Sequence, residues 1–323
     1  MTLTVGVLTS GGDAPGMNAA IRSVVRMGAH RGCRLLGFHR GFEGVIRGDF
    51  ETLEPRSVSN ILQRGGTILK TARSEAFKTE EGRACARQVL DECGVNALVI
   101  IGGDGSFRGG HALDAMWDGQ VIGVPGTIDN DIHGSDATIG FDTALNTALE
   151  AIDRIRDTAS AHERLFVVEV MGRHSGFIAL DVGTAGGAEE IFVPETVSDL
   201  DVCAERLKAA RAKGKVMSIV VCAEGDEQGG AFEIAQKLQR KTGFEPRVTV
   251  LGHIQRGGAP TARDRILATK LGAFAIEAIQ DGKTDVMAGE LRGELVTTPL
   301  EETWTRKKDL DAFLVALVPI LAK

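Results

Sequence analysis

The sequence predicts an α/β fold built on parallel strands. Short apolar runs such as Leu98–Ile101, Val121–Val124 and Leu165–Val170 recur along the chain and read as buried strands. Stretches with helical spacing separate them, and strands that alternate with helices join in parallel. A third observation concerns function. Several of these runs end in glycines, acids or arginines, and in open α/β sheets ligands bind outside the carboxyl ends of the strands.

In chain order, Leu3–Thr9 reads as a strand and Met17–His30 as a helix, joined by Ser10-Gly11-Gly12-Asp13-Ala14-Pro15-Gly16. That join is either a phosphate site at a helix N-terminus or a tight strand-to-helix turn. Asp13 breaks the G-x-G-x-x-G fingerprint at its middle glycine, and no Gly-Lys-Ser/Thr follows to make a P-loop. Gly65 to Arg73 reads as a loop or edge strand carrying Lys70 and Arg73. A helix over Glu81–Glu92 leads into the Leu98 strand, and Phe141–Ser160 reads as a long amphipathic helix. The second half repeats the alternation. Leu165–Val170 is a strand followed by Met171-Gly172-Arg173-His174 and a helix. Ile191–Val193 is a strand, Leu200–Lys213 a helix, Val216–Cys222 a strand ending at Glu224-Gly225, and Phe232–Lys241 a helix. Val248–Leu251 is a strand that ends in Gly252-His253-Ile254-Gln255-Arg256-Gly257-Gly258. Helices over Arg263–Gln280 and Leu310–Leu321 follow, and a domain seam is expected near residue 140.

The chain is organised around Pro125-Gly126-Thr127-Ile128-Asp129-Asn130-Asp131, just past the Val121–Val124 strand. If the segment is extended, Thr127, Asp129 and Asp131 share a face. One hydroxyl and two carboxylates at a point can serve a proton transfer or a hydrated cation; a polar loop with turn-capping aspartates is the plainer reading. Gly102-Gly103-Asp104-Gly105-Ser106 ends the neighbouring strand. Its glycines let backbone N–H groups approach a phosphate, and Asp104 is a natural Mg²⁺ anchor.

With 323 residues, 43% hydrophobic and 25% charged, the chain has room for two domains with cores of their own. A net charge of −7 argues against a general binder of nucleic acid or anionic membrane. No apolar run is long enough to span a bilayer, and Met1–Val5 lacks the charged start of a signal peptide. Five scattered cysteines without a C-x-x-C pair fit a reduced cytosol, so a cytoplasmic protein is expected. Arg73, Arg164, Arg173, Arg247 and Arg256 suit bidentate contacts to phosphate. Taken singly, Arg164 and Arg247 read equally as surface ion pairs, and His253 as a histidine satisfying a loop carbonyl.

Five motifs in order, S-G-G-D-A-P-G-M-N, G-G-D-G-S, P-G-T-I-D-N-D, E-V-M-G-R and L-G-H-I-Q-R-G-G, resemble bacterial ATP-dependent 6-phosphofructokinase. The resemblance runs from about residue 5 to about residue 280. It implies two Rossmann-like parallel-sheet domains with helices on both faces. The first, residues 1–140 with about 254–300, would bind ATP and Mg²⁺; the second, 141–253 with a C-terminal helix at about 301–323, fructose 6-phosphate. By matching position, Asp129 resembles the base for the sugar 1-hydroxyl and Asp104 the Mg²⁺ ligand. Gly12, Arg73, Gly102, Gly103, Asp104, Gly105 and Ser106 fall in the ATP motifs, and Arg73 and Arg173 would stabilise developing charge. Thr127, Met171, Gly172, Arg173, Glu224, His253 and Arg256 fall in the fructose 6-phosphate motifs. Arg164 and Arg247 resemble two arginines supplied across a subunit interface, which implies a homotetramer with shared sites.

The family also has an effector site for ADP and phosphoenolpyruvate. Arg22, Arg26, Arg156, Gly187, Glu189, Lys213 and Lys215 match its pattern, while Asn60 and Met217 depart from it. Three other readings stay open. In pyrophosphate-dependent relatives the glycine after the first aspartate becomes Asp and the glycine before the threonine becomes Lys; Gly105 and Gly126 hold these positions. A dinucleotide-dependent oxidoreductase is disfavoured by Asp13, and a non-catalytic nucleotide sensor by the intact Asp104, Thr127 and Asp129.

Overall fold

The computed structural model describes residues 2–159, 164–215 and 217–321. Ser160 and Val216, each named in an expected element above, lie outside them. Contacts divide the chain into two compact units. Unit 1 comprises Met1–Ile128, Ile132–Thr143 and Arg256–Lys308; unit 2 comprises Asp129–Asp131, Ala144–Gln255 and Asp309–Lys323. Residues 301–308 therefore group with unit 1 rather than with the C-terminal helix.

The first pass of the chain gives β1 (Thr4–Thr9), α1 (Met17–His30), β2 (Arg34–Phe38), α2 (Phe42–Arg47), β3 (Phe50–Thr52), α3 (Glu80–Glu92), β4 (Ala97–Gly102), α4 (Asp104–Asp114), β5 (Gln120–Thr127) and β6 (Ile139–Gly140). Then come α5 (Phe141–Ala159), β7 (Leu165–Val170), α6 (Phe177–Ala185), β8 (Glu190–Phe192), α7 (Leu200–Ala212), β9 (Ser218–Ala223), α8 (Ala231–Thr242) and β10 (Pro246–Val250). The chain continues through α9 (Ala262–Gln280), β11 (Val286–Leu291), β12 (Glu294–Pro299), α10 (Glu302–Thr305) and α11 (Ala312–Leu321).

Unit 1 is an eight-stranded sheet ordered β12-β11-β5-β4-β1-β2-β3, with β6 paired to the end of β5. Every residue of β1 and β4 is buried, as expected of parallel strands covered on both faces. On one face Leu8, Leu36, Leu98 and Ile100 pack under Phe42, Leu90, Phe107, Leu113 and Trp117. Elsewhere in the unit α1 runs along α9, where Gly272 admits the Ala20 carbonyl to within 2.8 Å of the place a Cβ would take. The parallel architecture holds in the middle of the sheet, but both edges are antiparallel: β2 with β3 and β11 with β12. The β11–β12 loop is Arg292-Gly293, both at positive φ, the geometry of a two-residue hairpin turn.

Unit 2 carries a four-stranded, wholly parallel sheet ordered β10-β7-β9-β8. Its core joins Leu165, Val167, Val220 and Cys222 to Cys203, Leu207, Ile234 and Leu238 of α7 and α8. Asp199 caps α7 by accepting from the N–H groups of Asp201 and Val202.

Candidate active site

In unit 1 the chain leaves β1 toward β2 on one side and later enters β4 on the other. The carboxyl ends of β1 and β4 therefore flank a topological switch point, where such sheets bind ligands. The turns after these strands touch. Ser10 N–H donates to the Ile101 carbonyl at 3.0 Å, and a Cβ on Gly102 would lie 2.6 Å from the Ser10 carbonyl. Gly102 is thus required by packing. The segment from residue 65 to 73 forms no strand; it is a loop held over the β1 end. Asn18, buried on α1, donates to the carbonyls of Arg64 and Gly65 and accepts from Ile68 N–H. Thr71 Oγ1 donates to the Gly11 carbonyl at 2.5 Å, and Ser74 donates to Glu43 at 2.7 Å. That bond, helped by Arg47, holds the Glu43 carboxyl below its usual range against the opposing effect of burial. Exposed Arg73 sits between these two anchors.

The glycine run after β4 is not all loop. Asp104 is the first residue of α4, and the N–H groups of Ser106 and Phe107 turn inward to the Gly103 carbonyl. Asp104 and Gly105 thus form the open N-terminal end of the helix, which favours anions. The Asp104 carboxylate is half exposed and lies 3.4 Å from Arg108 one turn on. Among the described residues, no group of three or more His, Cys, Asp or Glu side chains could hold a metal ion. A single half-exposed carboxylate at a helix N-terminus, Asp104, is a donor of the kind that would suit a Mg²⁺ held mainly by phosphates and water.

The organising stretch departs from expectation. β5 runs on through Pro125 and Gly126 to Thr127, so Thr127 ends the strand rather than following it. The chain then bends at Ile128 and Asp129, and Asn130 is left-handed at φ 54°. Thr127, Asp129 and Asp131 therefore do not share the face of one extended segment. Thr127 belongs to unit 1, Asp129 and Asp131 to unit 2. Arg256, expected among the sugar-phosphate residues, lies in unit 1 against the first glycine turn. It donates to the Asp13 carbonyl at 3.2 Å, and its Nη1 is 2.6 Å from the place a Gly12 Cβ would take.

In unit 2 the carboxyl ends of β7 and β9 build one surface. Glu224 N–H donates to the Val170 carbonyl at 3.0 Å, and a Cβ on Gly225 would strike the Arg173 carbonyl. Gly172 at φ 134° brings its α-carbon against the Ser175 carbonyl, so no side chain fits there. Two residues to which the motif reading gave no role fix this corner: Ser175, outside the motifs, and Gln255, within the last of them. Ser175 Oγ donates to the Asp129 carbonyl at 2.6 Å, and the fully buried Gln255 accepts from Met171 N–H at 2.8 Å. His253 is exposed, two residues before Gln255. Arg164 and Arg247 stand apart from this group. The register pairs Pro246 with Leu165 and Arg247 with Phe166, so both arginines lie at the amino end of β7. Arg164 and Met171 are separated by seven residues at about 3.3 Å each, roughly 20 Å. Arg247 meets Glu245 at 3.5 Å.

The comparisons with known proteins agree with this geometry. The family model described as phosphofructokinase matches residues 4–279. The chain belongs to the phosphofructokinase family. It is 58% identical over 318 residues to the "ATP-dependent 6-phosphofructokinase 1" of Thermus thermophilus, covering 98% of this chain and 99% of that one. Phosphofructokinase from Saccharomyces cerevisiae superposes with a TM-score of 0.88 at 34% identity; the match covers 99% of this chain and 47% of the yeast chain, about half its length. A pyrophosphate-dependent phosphofructokinase from Marinobacter aquaeolei gives 0.84 at 22% identity, covering 96% of this chain and 86% of that one. This last likeness shows the fold alone, so the phosphofructokinase fold does not by itself choose the phosphoryl donor.

The residues matched to an effector pattern also fall into two sets. In unit 1, Arg22 and Arg26 are one turn apart on α1, and among the described residues neither has an acidic partner. Burial, then the like charge of Arg26, pulls the Arg22 guanidinium below its ordinary range. In unit 2, Arg156 donates to the carbonyls of Gly186 and Gly187, and Lys215 pairs with Glu189 at 2.8 Å. Glu189 also accepts from Ile219 N–H, and exposed Lys213 follows α7. Asn60, one of the two departures, is left-handed at φ 57°, a conformation asparagine tolerates better than most residues.

Proposed function

We propose that this chain is an ATP-dependent 6-phosphofructokinase, which transfers the γ-phosphate of ATP to the 1-hydroxyl of fructose 6-phosphate in glycolysis. The observation that carries the choice of ATP is Gly105. It sits at the anion-favouring end of α4, and no protein atom lies within 4 Å of the place its Cβ would take. Packing therefore does not require the glycine, whereas a nucleotide's α-phosphate would need the space. The test is a steady-state assay of fructose 6-phosphate with ATP and, separately, with pyrophosphate. Turnover with ATP and background with pyrophosphate is expected; substantial pyrophosphate turnover would overturn the assignment.

In this reading Asp129 accepts the proton of the 1-hydroxyl as its oxygen attacks in line. Arg73 and Arg173 stabilise charge on the transferring group, and the α4 N-terminus with Gly12 and Gly102–Ser106 orients the nucleotide phosphates. Asp104 would hold Mg²⁺, whose chemistry there is to neutralise the phosphate charge. Met171, Gly172, Glu224 and His253 bind the sugar. Arg256 against Gly12 supports a prediction: Gly12→Ala should displace the guanidinium, raising KM for fructose 6-phosphate several-fold with thermal stability nearly unchanged. Unaltered KM would mean that Arg256 serves no ligand from this position.

The amino-end location of Arg164 and Arg247 supports sites shared between subunits of a homotetramer. Two arginines roughly 20 Å along β7 from Met171 can reach a sugar phosphate more readily in a neighbouring copy than in their own. Arg247→Ala should raise KM for fructose 6-phosphate about 10- to 100-fold, the worth of a lost charge-assisted contact, and leave KM for ATP unchanged. Mixed tetramers of Asp129→Ser and Arg247→Ala chains should regain activity; no recovery would mean each site is built from one chain. ADP- and phosphoenolpyruvate-type effectors would use Arg22, Arg26, Arg156, Gly187, Glu189, Lys213 and Lys215. A cytoplasmic location completes the reading. Among the described residues no helix is long and apolar enough to cross a membrane, and none of the five cysteines forms a disulfide.

A further inference from the structure

We propose that Asp264 is a positioning residue for phosphoryl transfer, acting through Thr127 by way of a buried clamp on β6. The inference rests on the reading of Thr127 as a site residue. Asp264 is the third residue of α9 and is 1% exposed. Thr261 caps that helix, its Oγ1 accepting from Asp264 N–H at 3.3 Å. In a capping box the acid at this position reaches back to the backbone N–H of the capping residue. Here that N–H is taken by Thr143 Oγ1 at 3.0 Å, which releases the carboxylate for other work. Asp264 Oδ1 accepts from Gly140 N–H at 2.9 Å, and Oδ2 accepts from Thr143 N–H at 2.8 Å and Thr143 Oγ1 at 2.5 Å.

All three bonds converge on the junction of β6 and α5. β6 has two residues, too few to hold a place in a sheet alone, and it pairs with the functional end of β5: Gly126 with Ile139 and Thr127 with Gly140. Thr138 Oγ1 donates to the Thr127 carbonyl at 2.6 Å. Gly140, at φ 104°, also lets the backbone lie against Ala14 of the first glycine turn, 2.7 Å from where a Cβ would be. The end of β5 is thus fixed by β6, and β6 by Asp264. Burial pushes the Asp264 carboxyl up and the three bonds pull it down. Burying a carboxylate is costly unless it is well bonded, and this one is spent on a two-residue strand beside Thr127.

Asp264→Asn keeps the shape but turns an acceptor into a donor facing Thr143. Turnover should fall roughly 10- to 100-fold, as misplacement of a reacting group does, with KM for ATP within about twofold of wild type. In a Thr127→Ala background the same change should cost almost nothing further, because the group it positions is gone. Thr138→Val, which removes one buried hydroxyl and leaves the carboxylate in place, should lower kcat in the same way with a modest fall in melting temperature, and it carries the test if Asp264→Asn does not fold. An undiminished loss in the Thr127→Ala background, or wild-type kcat in Thr138→Val, would overturn the proposal. Hydrogen exchange over residues 126–143 should quicken in Asp264→Asn, and unchanged exchange would sink the clamp whatever Thr127 does. Wild-type kcat in Thr127→Ala alone would instead sink the reading of Thr127.

Discussion

Asp129→Ser is expected to lower kcat by roughly 10²–10⁴ while leaving the fold and both KM values close to wild type. That range is the usual worth of a positioned general base, about 3–5 kcal/mol of barrier at 1.36 kcal/mol per tenfold. The residue is half-buried and its backbone is held by Ser175, so the substitution removes a carboxylate without releasing the segment. Serine is small enough to add no clash and too weak a base to replace the acid. Steady-state kinetics with saturating ATP and fructose 6-phosphate gives the answer. A kcat near wild type would put the base elsewhere. A raised KM with unchanged kcat would make Asp129 a binding residue.

The sheet cores were legible because their strands are buried on both faces and therefore read as unbroken apolar runs, as Ala97–Gly102 and Leu165–Val170 do. Edges were harder to read. The β11–β12 hairpin turns on Arg292-Gly293, which lacks the Asn or Asp that usually marks such a turn, and its strands are half-exposed. In sequence β5 reads short because Pro and Gly ordinarily end a central strand, yet Pro125 and Gly126 continue it to Thr127. The alternation rule then failed one residue later, at the bend into left-handed Asn130. Tertiary relations were out of reach. No local pattern tells that Arg256 folds back on Gly12, or that Arg164 and Arg247 share the amino end of one strand pair. Thr143 and Asp264 are 121 residues apart, and the Thr-x-x-Asp start of α9 suggests an ordinary cap rather than a clamp.

Gly105→Asp is expected to abolish most ATP-dependent activity without harming the fold. The prediction turns on why glycine is there. Gly102, Gly110 and Gly126 each have a packing reason: their missing Cβ atoms would meet Ser10, Ile100 and Ile101 at 2.6, 2.7 and 3.0 Å. Gly105 has none, and it is not at positive φ. A glycine within a helix costs about 1 kcal/mol relative to alanine, so leaving one at an open position lowers stability to no internal benefit. Aspartate in the first turn also suits the helix dipole by roughly 0.5 kcal/mol, so the melting temperature of the variant should hold or rise. Its carboxylate would face the phosphates of ATP, and like charges brought together cost several kcal/mol. At 1.4 kcal/mol per tenfold, kcat/KM for ATP should fall about 10²–10³. Gly105→Ala separates size from charge and should lose less. Neither variant should gain pyrophosphate activity, since both keep Gly126 where pyrophosphate-dependent relatives carry Lys, and a Lys there would in turn have to displace Met17 and Ile101. ATP kinetics unmoved by Gly105→Asp would mean that this helix end does not face the nucleotide, and the choice of ATP over pyrophosphate would lose the observation that carries it.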